Sequence, residues 1–181
     1  MTPAAAFEQF VRDHQDLVFA TAVRLLGNAA DAEDVAQAVF LKAFERFANL
    51  EGNPTAPGWL RTVARNLCLN HLTRYRSRWR LFSELIGIDD EERDEAGAPF
   101  EPADPGTPGM LLEARERQQQ LEHALRRLPD AQRVPLVLFH FEGASYQEIA
   151  GLLGVSLAKV KTDIHRGRDA LRRYLTDDRA R

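Results

Sequence analysis

Apolar residues recur at intervals of three and four along most of this chain. Phe7, Phe10, Val11, His14, Leu17, Val18, Ala22, Leu25 and Leu26 mark an amphipathic helix. Gly27-Asn28 ends it. Asp31 is placed to cap a second helix, with Glu33 and Asp34 in the first turn, where the helix dipole favours acids. Val35, Val39, Phe40, Ala43, Phe44 and Phe47 form its apolar stripe. The stretch NLEGNPTAPG, residues 49–58, holds two prolines and two glycines and reads as a break. Trp59, Val63, Leu67 and Leu72 then set the stripe of a third long helix.

The pattern resumes near the C-terminus. Leu121, Leu125 and Leu128 end a helix before Pro129. Val134, Leu136, Val137, Leu138 and Phe141 define the next, with Pro135 near its start removing one backbone donor and bending it. Gly143 stops it. Ser145 and Glu148 have the spacing of a capping box. Ile149, Ala150, Leu152 and Leu153 give a short apolar face, Gly154 permits a tight turn, and Ser156 caps the last helix. No convincing strand alternation occurs. The expected fold is all-α, with small helical domains at residues 1–80 and 113–181 and a linker over 81–112.

Composition changes this picture in few ways. A hydrophobic share of 44% suffices for a packed core in each domain. No run of about 18 apolar residues is present, so no membrane insertion is expected. The first residues lack the basic start and apolar stretch of a secretory signal, and a cytoplasmic location fits. Cys68 is the single cysteine, which excludes an internal disulfide and any multi-cysteine metal site. It falls in an apolar pattern and reads as a buried, inert thiol.

Charge is more informative by segment than in total. The net charge of -3 suggests no polyanion partner. Residues 1–80, however, carry ten Lys+Arg against eight Asp+Glu, and residues 117–181 carry twelve against eight. Residues 81–116 carry two against eleven. Residues 59–80 contain six arginines and no acid, and local field governs polyanion binding. The middle of the linker, IDDEERDEAGAPFEPADPGTPG, has five acids between Asp89 and Asp94, then four prolines and three glycines. It reads as a solvated spacer or as a mimic of a nucleic-acid strand.

Residues 143–168, GASYQEIAGLLGVSLAKVKTDIHRGR, join two helical patterns through a glycine turn. At about 100° per residue, Leu157, Val160, Ile164 and Leu171 share the core side. Ala158, Thr162, His165, Arg166, Asp169 and Arg173 face away, while Lys161 and Arg168 flank the core. This is the helix-turn-helix pattern. Arg166 suits a guanine edge and Thr162 a thymine methyl, while Lys159, Lys161 and Arg168 suit phosphates. Asp163 is expected beside the groove-facing stripe, in an exposed pair with Arg166 or Lys159 that adds selectivity rather than stability. An ordinary solvated helix carries similar residues. His14, His71, His123, His140 and His165 lack metal-ligand spacing, and no phosphate loop or catalytic constellation stands out. No cofactor, metal or catalytic residue is expected. A stand-alone helix-turn-helix regulator and a helical scaffold remain as other readings.

The segments LPDAQRVPLVLFHFEGASYQEIAGLLGVSLAKVKTDIHRGRDALRRYL, HQDLVFATAVRLLGNAADAEDVAQAVFLKAFERF and PGWLRTVARNLCLNHLTRYR together resemble extracytoplasmic-function sigma factors. These are two-domain bacterial transcription initiation factors. The resemblance covers both domains. It implies binding to core RNA polymerase, at the clamp coiled coil of the largest subunit and the flap region of the second, and to promoter DNA. It implies an anti-sigma factor as a further partner. Asp31, Asp34, Gln37 and Phe40 fall at positions it implies for polymerase docking. Asn49, Asn53, Trp59, Arg61, Arg65, Asn66 and Asn70 are candidates for minus-10 DNA. Ser156, Lys159, Lys161, Thr162, Asp163, His165, Arg166 and Arg168 are candidates for minus-35 DNA. The acidic linker would thread toward the RNA path. Two departures stand out: Ala38 occupies a position usually held by glutamate, and Lys159 and Asp163 alter the usual recognition-helix sequence.

Overall fold

The computed structural model describes residues 3–85 and 108–179, with the side chains of 74–85, 108–111 and 178–179 left aside. Eight helices account for the ordered elements among them, with no strand. They are α1 (Pro3–Leu26), α2 (Ala29–Glu45), α3 (Phe47–Leu50), α4 (Ala56–Leu85), α5 (Pro108–Arg127), α6 (Asp130–His140), α7 (Tyr146–Leu153) and α8 (Leu157–Arg179). The chain divides into two compact units between Gly87 and Ile88. Helix α4 runs past residue 81 and α5 starts before 112, so helix reaches into both ends of the expected linker. The acids from Asp89 to Asp94 lie outside the described residues.

In the N-terminal unit α1 packs against α2 and α4. Val18, Ala22, Leu25, Val39, Ala43, Leu60, Ala64 and Cys68 are fully buried. Gly27 takes a left-handed φ of 78°, which ends α1 without strain on a Cβ. The cap of α2 is Asn28, not Asp31: Asn28 is extended, and its side-chain oxygen accepts the Asp31 backbone N–H at 2.8 Å. Asp31 lies inside the first turn instead. The break is also shorter than residues 49–58. Asn49 belongs to α3 and Pro57 to the first turn of α4, where a missing N–H costs no helical bond. The buried line of α4 is Ala56, Leu60, Ala64 and Cys68, one residue along from the expected Trp59, Val63 and Leu67, which are half-buried. Small Ala and Cys side chains on this line let α4 sit close to α1 and α2, and the bulkier residues flank the contact.

In the C-terminal unit α8 packs against α5, α6 and α7, and α6 is the most buried, with Val134, Pro135, Leu136, Val137 and Leu138 all inside. It continues through Pro135 to His140. Ser145 and Glu148 form the reciprocal capping box of α7 at 3.2 and 2.7 Å. Gly154, at φ 64°, closes α7, and the Ser156 hydroxyl accepts the Lys159 N–H at 3.2 Å to start α8. Arg127 of α5 stacks over the Tyr174 ring of α8 at 4.0 Å. Helix α8 lies close against α6 at Gly167, where an added Cβ would be 2.9 Å from Leu136 Cδ1 and 3.2 Å from the Gln132 carbonyl oxygen.

Arg133 is almost wholly buried, and the sequence pattern gave no sign of its role. Its guanidinium donates to the Leu128 carbonyl at 2.9 Å and pairs with Asp130. It thereby satisfies the end of α5 and fixes the turn into α6. Arg133→Met is expected to lower the stability of this unit by about 2–3 kcal/mol, because the buried acceptor loses a charged donor. Urea unfolding followed by circular dichroism measures it, and a loss below about 0.5 kcal/mol would show the turn to be held by other contacts.

Candidate functional site

Three surfaces collect the candidate residues, each within one unit. On α2, Asp34 and Gln37 are exposed and follow one another by three residues. The same face continues into Leu41 and Phe44, which are 64% and 61% exposed. Phe44 was expected in the core stripe; it lies outside it, with its ring edge on Phe7 at 5.0 Å. Phe40 is half-buried at the margin. The signal for this face was present in the sequence. Apolar residues from Val35 to Phe44 span about 240° of the wheel, too wide for one buried stripe. Asp31 stands apart from the face. Its Oδ2 accepts from Asn28 Nδ2 at 2.8 Å and lies 3.3 Å from His71 Nε2 of α4. It ties α2 to α4.

On α4, Thr62, Asn66 and Asn70 are exposed and Trp59 is half-buried. These four fall within an arc of about 80°, while Arg61 and Arg65 project from the next flank. Arg65 is half-buried, and its Nε has no hydrogen-bond partner among the described residues. Asn49 and Asn53 are exposed in the adjoining turn. Asn53 is engaged in shaping that turn: its Oδ1 accepts the Thr55 N–H at 2.9 Å and the Thr55 hydroxyl at 2.7 Å, and its amide donates to the Asn49 carbonyl at 3.2 Å. An open cleft of about 270 Å³ lies between this turn and α1, lined among others by Gln9, Phe10, Asp13, His14 and Asn53.

On α8, Ser156, His165 and Arg166 are exposed, and Lys159, Lys161, Thr162 and Arg168 are half-buried. The buried line runs through Val160, Asp163, Ile164, Gly167 and Ala170. Two expectations change. Leu157 is 39% exposed rather than in the core. Asp163 is 8% exposed rather than on the surface. Gly167 follows it by one turn on the same face, and the close approach of α6 there draws this side of α8 inward. Asp163 Oδ2 bonds Lys159 Nζ at 2.9 Å. Burial pushes the Asp163 carboxyl above its ordinary value, and the bond to Lys159 and the charges of Lys159 and Arg166 pull only partly against it.

Arg168 is half-buried at the flank of the core, where the wheel places it. Its Nε–H donates to His140 Nε2 at 3.2 Å, and its guanidinium lies 5.6 Å from the centre of the Phe139 ring. These contacts link α8 to α6. Burial, and secondly the charge of Arg168, lower the pKa of His140 below its ordinary 6.5. The neutral ring is thus the form that fits. A lowered folded-state pKa gives stability that is complete above the unfolded value and is lost as pH falls. The C-terminal unit is expected to weaken progressively below about pH 6.5, where the unfolded chain takes up the proton first. His140→Gln should flatten that loss when urea midpoints at pH 7.5 and 5.5 are compared. An unchanged acid slope would assign it to other groups.

No group of three or more potential metal ligands occurs among the described residues. No described helix is long and apolar enough to cross a membrane.

Comparison with known proteins adds family matches to this geometry. The Sigma-70 region 2 family matches residues 10–78, and the Sigma-70 region 4 family matches residues 118–171. The ECF RNA polymerase sigma factor SigE of Mycolicibacterium smegmatis is 36% identical over 170 residues, covering 94% of this chain and 62% of that relative. The ECF RNA polymerase sigma factor SigW of Bacillus subtilis is 30% identical over 172 residues, covering 95% of this chain and 90% of the relative. The RNA polymerase sigma-H factor of Pseudomonas aeruginosa is 31% identical, covering 94% and 86% respectively.

Proposed function

We infer from one premise, that the chain belongs to the extracytoplasmic-function family of RNA polymerase sigma factors, how its surfaces divide the work of promoter-specific transcription initiation. The face of α2 bearing Asp34, Gln37, Leu41 and Phe44 docks on the clamp coiled coil of core RNA polymerase. Exposed apolar side chains ringed by polar ones are the composition of a protein interface. Trp59, Asn66 and Asn70 of α4, with the turn beside Asn49 and Asn53, hold the melted minus-10 strand. They offer the stacking and hydrogen-bonding groups that single-stranded capture needs, and Arg61 and Arg65 supply positive charge along its flank. The exposed side of α8 enters the major groove of the minus-35 duplex, with Arg166 at base edges and Lys161 near phosphate.

The flap region of polymerase receives the C-terminal unit. The chain catalyses no reaction itself; its partner polymerase does the chemistry, in the cytoplasm. An anti-sigma factor is a further partner.

The observation that carries the reading is the order of the two family matches, each falling on a unit that exposes a suitable surface. Run-off transcription tests it. Core polymerase with this chain should produce discrete transcripts from a subset of genomic fragments, and core alone should not. Absence of any added transcript, together with failure to co-purify with core, would sink the reading.

A further inference from the structure

The pair of Lys159 and Asp163 is the least expected feature of α8. A lysine that serves a phosphate gains from a long, mobile stem that follows the backbone. Lys159 is instead held, with its Nζ 2.9 Å from a carboxylate that is nearly buried. The pair has little net charge, so its pull on phosphate is largely cancelled at the distance of a DNA strand. What remains are the other two N–H donors of the ammonium, fixed in direction.

Their position matters as much as their direction. Lys159 is the third residue of α8, in the half of a recognition helix that enters the groove. Exposed Arg166 stands two turns on, only about 20° away around the helix. Asp163 lies between these two cations in sequence and one step toward the core. The start of α8 does not need this carboxylate, since the Lys159 backbone N–H is already capped by Ser156. Burial disfavours its charge, as its raised pKa shows.

We propose that Lys159 reads a base edge, the N7 and O6 acceptors of a guanine in the upstream promoter element, and that Asp163 is the positioning residue that holds it there. This rests on the minus-35 reading of α8. Asp163 thus sets selectivity through Lys159, from inside the helix packing, and touches no DNA itself.

The test uses the full chain assembled with core polymerase and a promoter library randomised across the upstream element. Wild-type holoenzyme should enrich guanine at a position that Lys159→Met makes indifferent, by about tenfold, with the other positions kept. Asp163→Asn should flatten the same position, raise affinity for all sequences and steepen the salt dependence, because a freed lysine now meets phosphate. The double variant should match Lys159→Met alone, as a shared interaction requires. It also guards against misfolding, since it leaves no buried unpaired carboxylate. If Lys159→Met weakens every sequence alike and lowers the salt slope by about one, Lys159 is a phosphate contact and the inference fails alone. Unchanged base preferences in Asp163→Asn overturn the positioning role. A wild-type holoenzyme with no upstream preference overturns the minus-35 reading and this inference with it.

Discussion

Leu41→Ser combined with Phe44→Ser is expected to detach this chain from core polymerase with little effect on its fold. Both side chains are mostly exposed, so the change empties no core site. Covering the exposed part of a Leu and a Phe is worth about 1.5–2 kcal/mol each when it is fully achieved. The pair together then accounts for about 3 kcal/mol, more than a hundredfold in affinity. Asp34→Ala with Gln37→Ala removes polar contacts from the same face and is expected to cost about tenfold, since contacts at an interface rim contribute less. Phe44 touches Phe7, so Leu41→Ser alone serves as the variant with the least effect on the fold. Titration of labelled chain with core polymerase measures all three. An affinity within threefold of wild type for the double serine variant would remove the α2 face from the interface.

Gly167→Val is expected to unfold the C-terminal unit at physiological temperature. Alanine here already brings a methyl to 2.9 Å from Leu136 Cδ1 and 3.2 Å from a backbone oxygen of α6. Leu136 is itself buried among its neighbours and has little room to turn. Against this, removing a helical glycine gains about 1 kcal/mol, and overpacking costs about 1–3 kcal/mol. Gly167→Ala should therefore be mildly destabilising. Valine adds two further methyls with a stiff χ1 and pushes α8 off α6. The expected loss is on the order of 3–5 kcal/mol, comparable to the whole stability of a small domain. Circular dichroism melting and limited proteolysis should show the C-terminal unit open and the N-terminal unit intact. Promoter binding should be lost while docking on polymerase survives. A valine variant that melts within about 2 °C of wild type would mean that α8 and α6 can separate freely, contrary to the packing at Gly167.

Most of the helices were legible from the sequence, because the signals that start and stop them are local; the short α3 and the linker-side ends of α4 and α5 were not. The capping box at Ser145 and Glu148, the Gly154 turn and the Ser156 cap need only a few neighbouring residues, and the structure has each of them. The cap of α2 was misplaced because Asn28 and Asp31 are both good capping residues. Only the extended backbone of Asn28, set by the left-handed Gly27 before it, selects between them. The exposed candidates Asp34, Gln37, Asn66, Asn70 and Arg166 were likewise legible, since a polar residue opposite an apolar stripe faces solvent in almost any packing.

Tertiary structure decided the residues at the edges of each stripe. Phe44 is apolar and lies outside, while Asp163 is charged and lies inside. Neither follows from side-chain chemistry, because burial depends on what packs opposite. Apart from Phe7 at the edge of Phe44, little in the N-terminal unit covers the outer face of α2, so Leu41 and Phe44 stay exposed. In the C-terminal unit Gly167 admits α6 so closely that the line through Asp163 is drawn under it. Arg168 flanks the core as its place on the wheel implies, but only the tertiary structure shows that His140 and Phe139 hold it against α6. The sequence by itself determined where most of the described chain is helical, because helix formation is local and periodic. Which face of each helix is buried, and so which charges are free to meet DNA, was set by contacts between residues far apart in the chain.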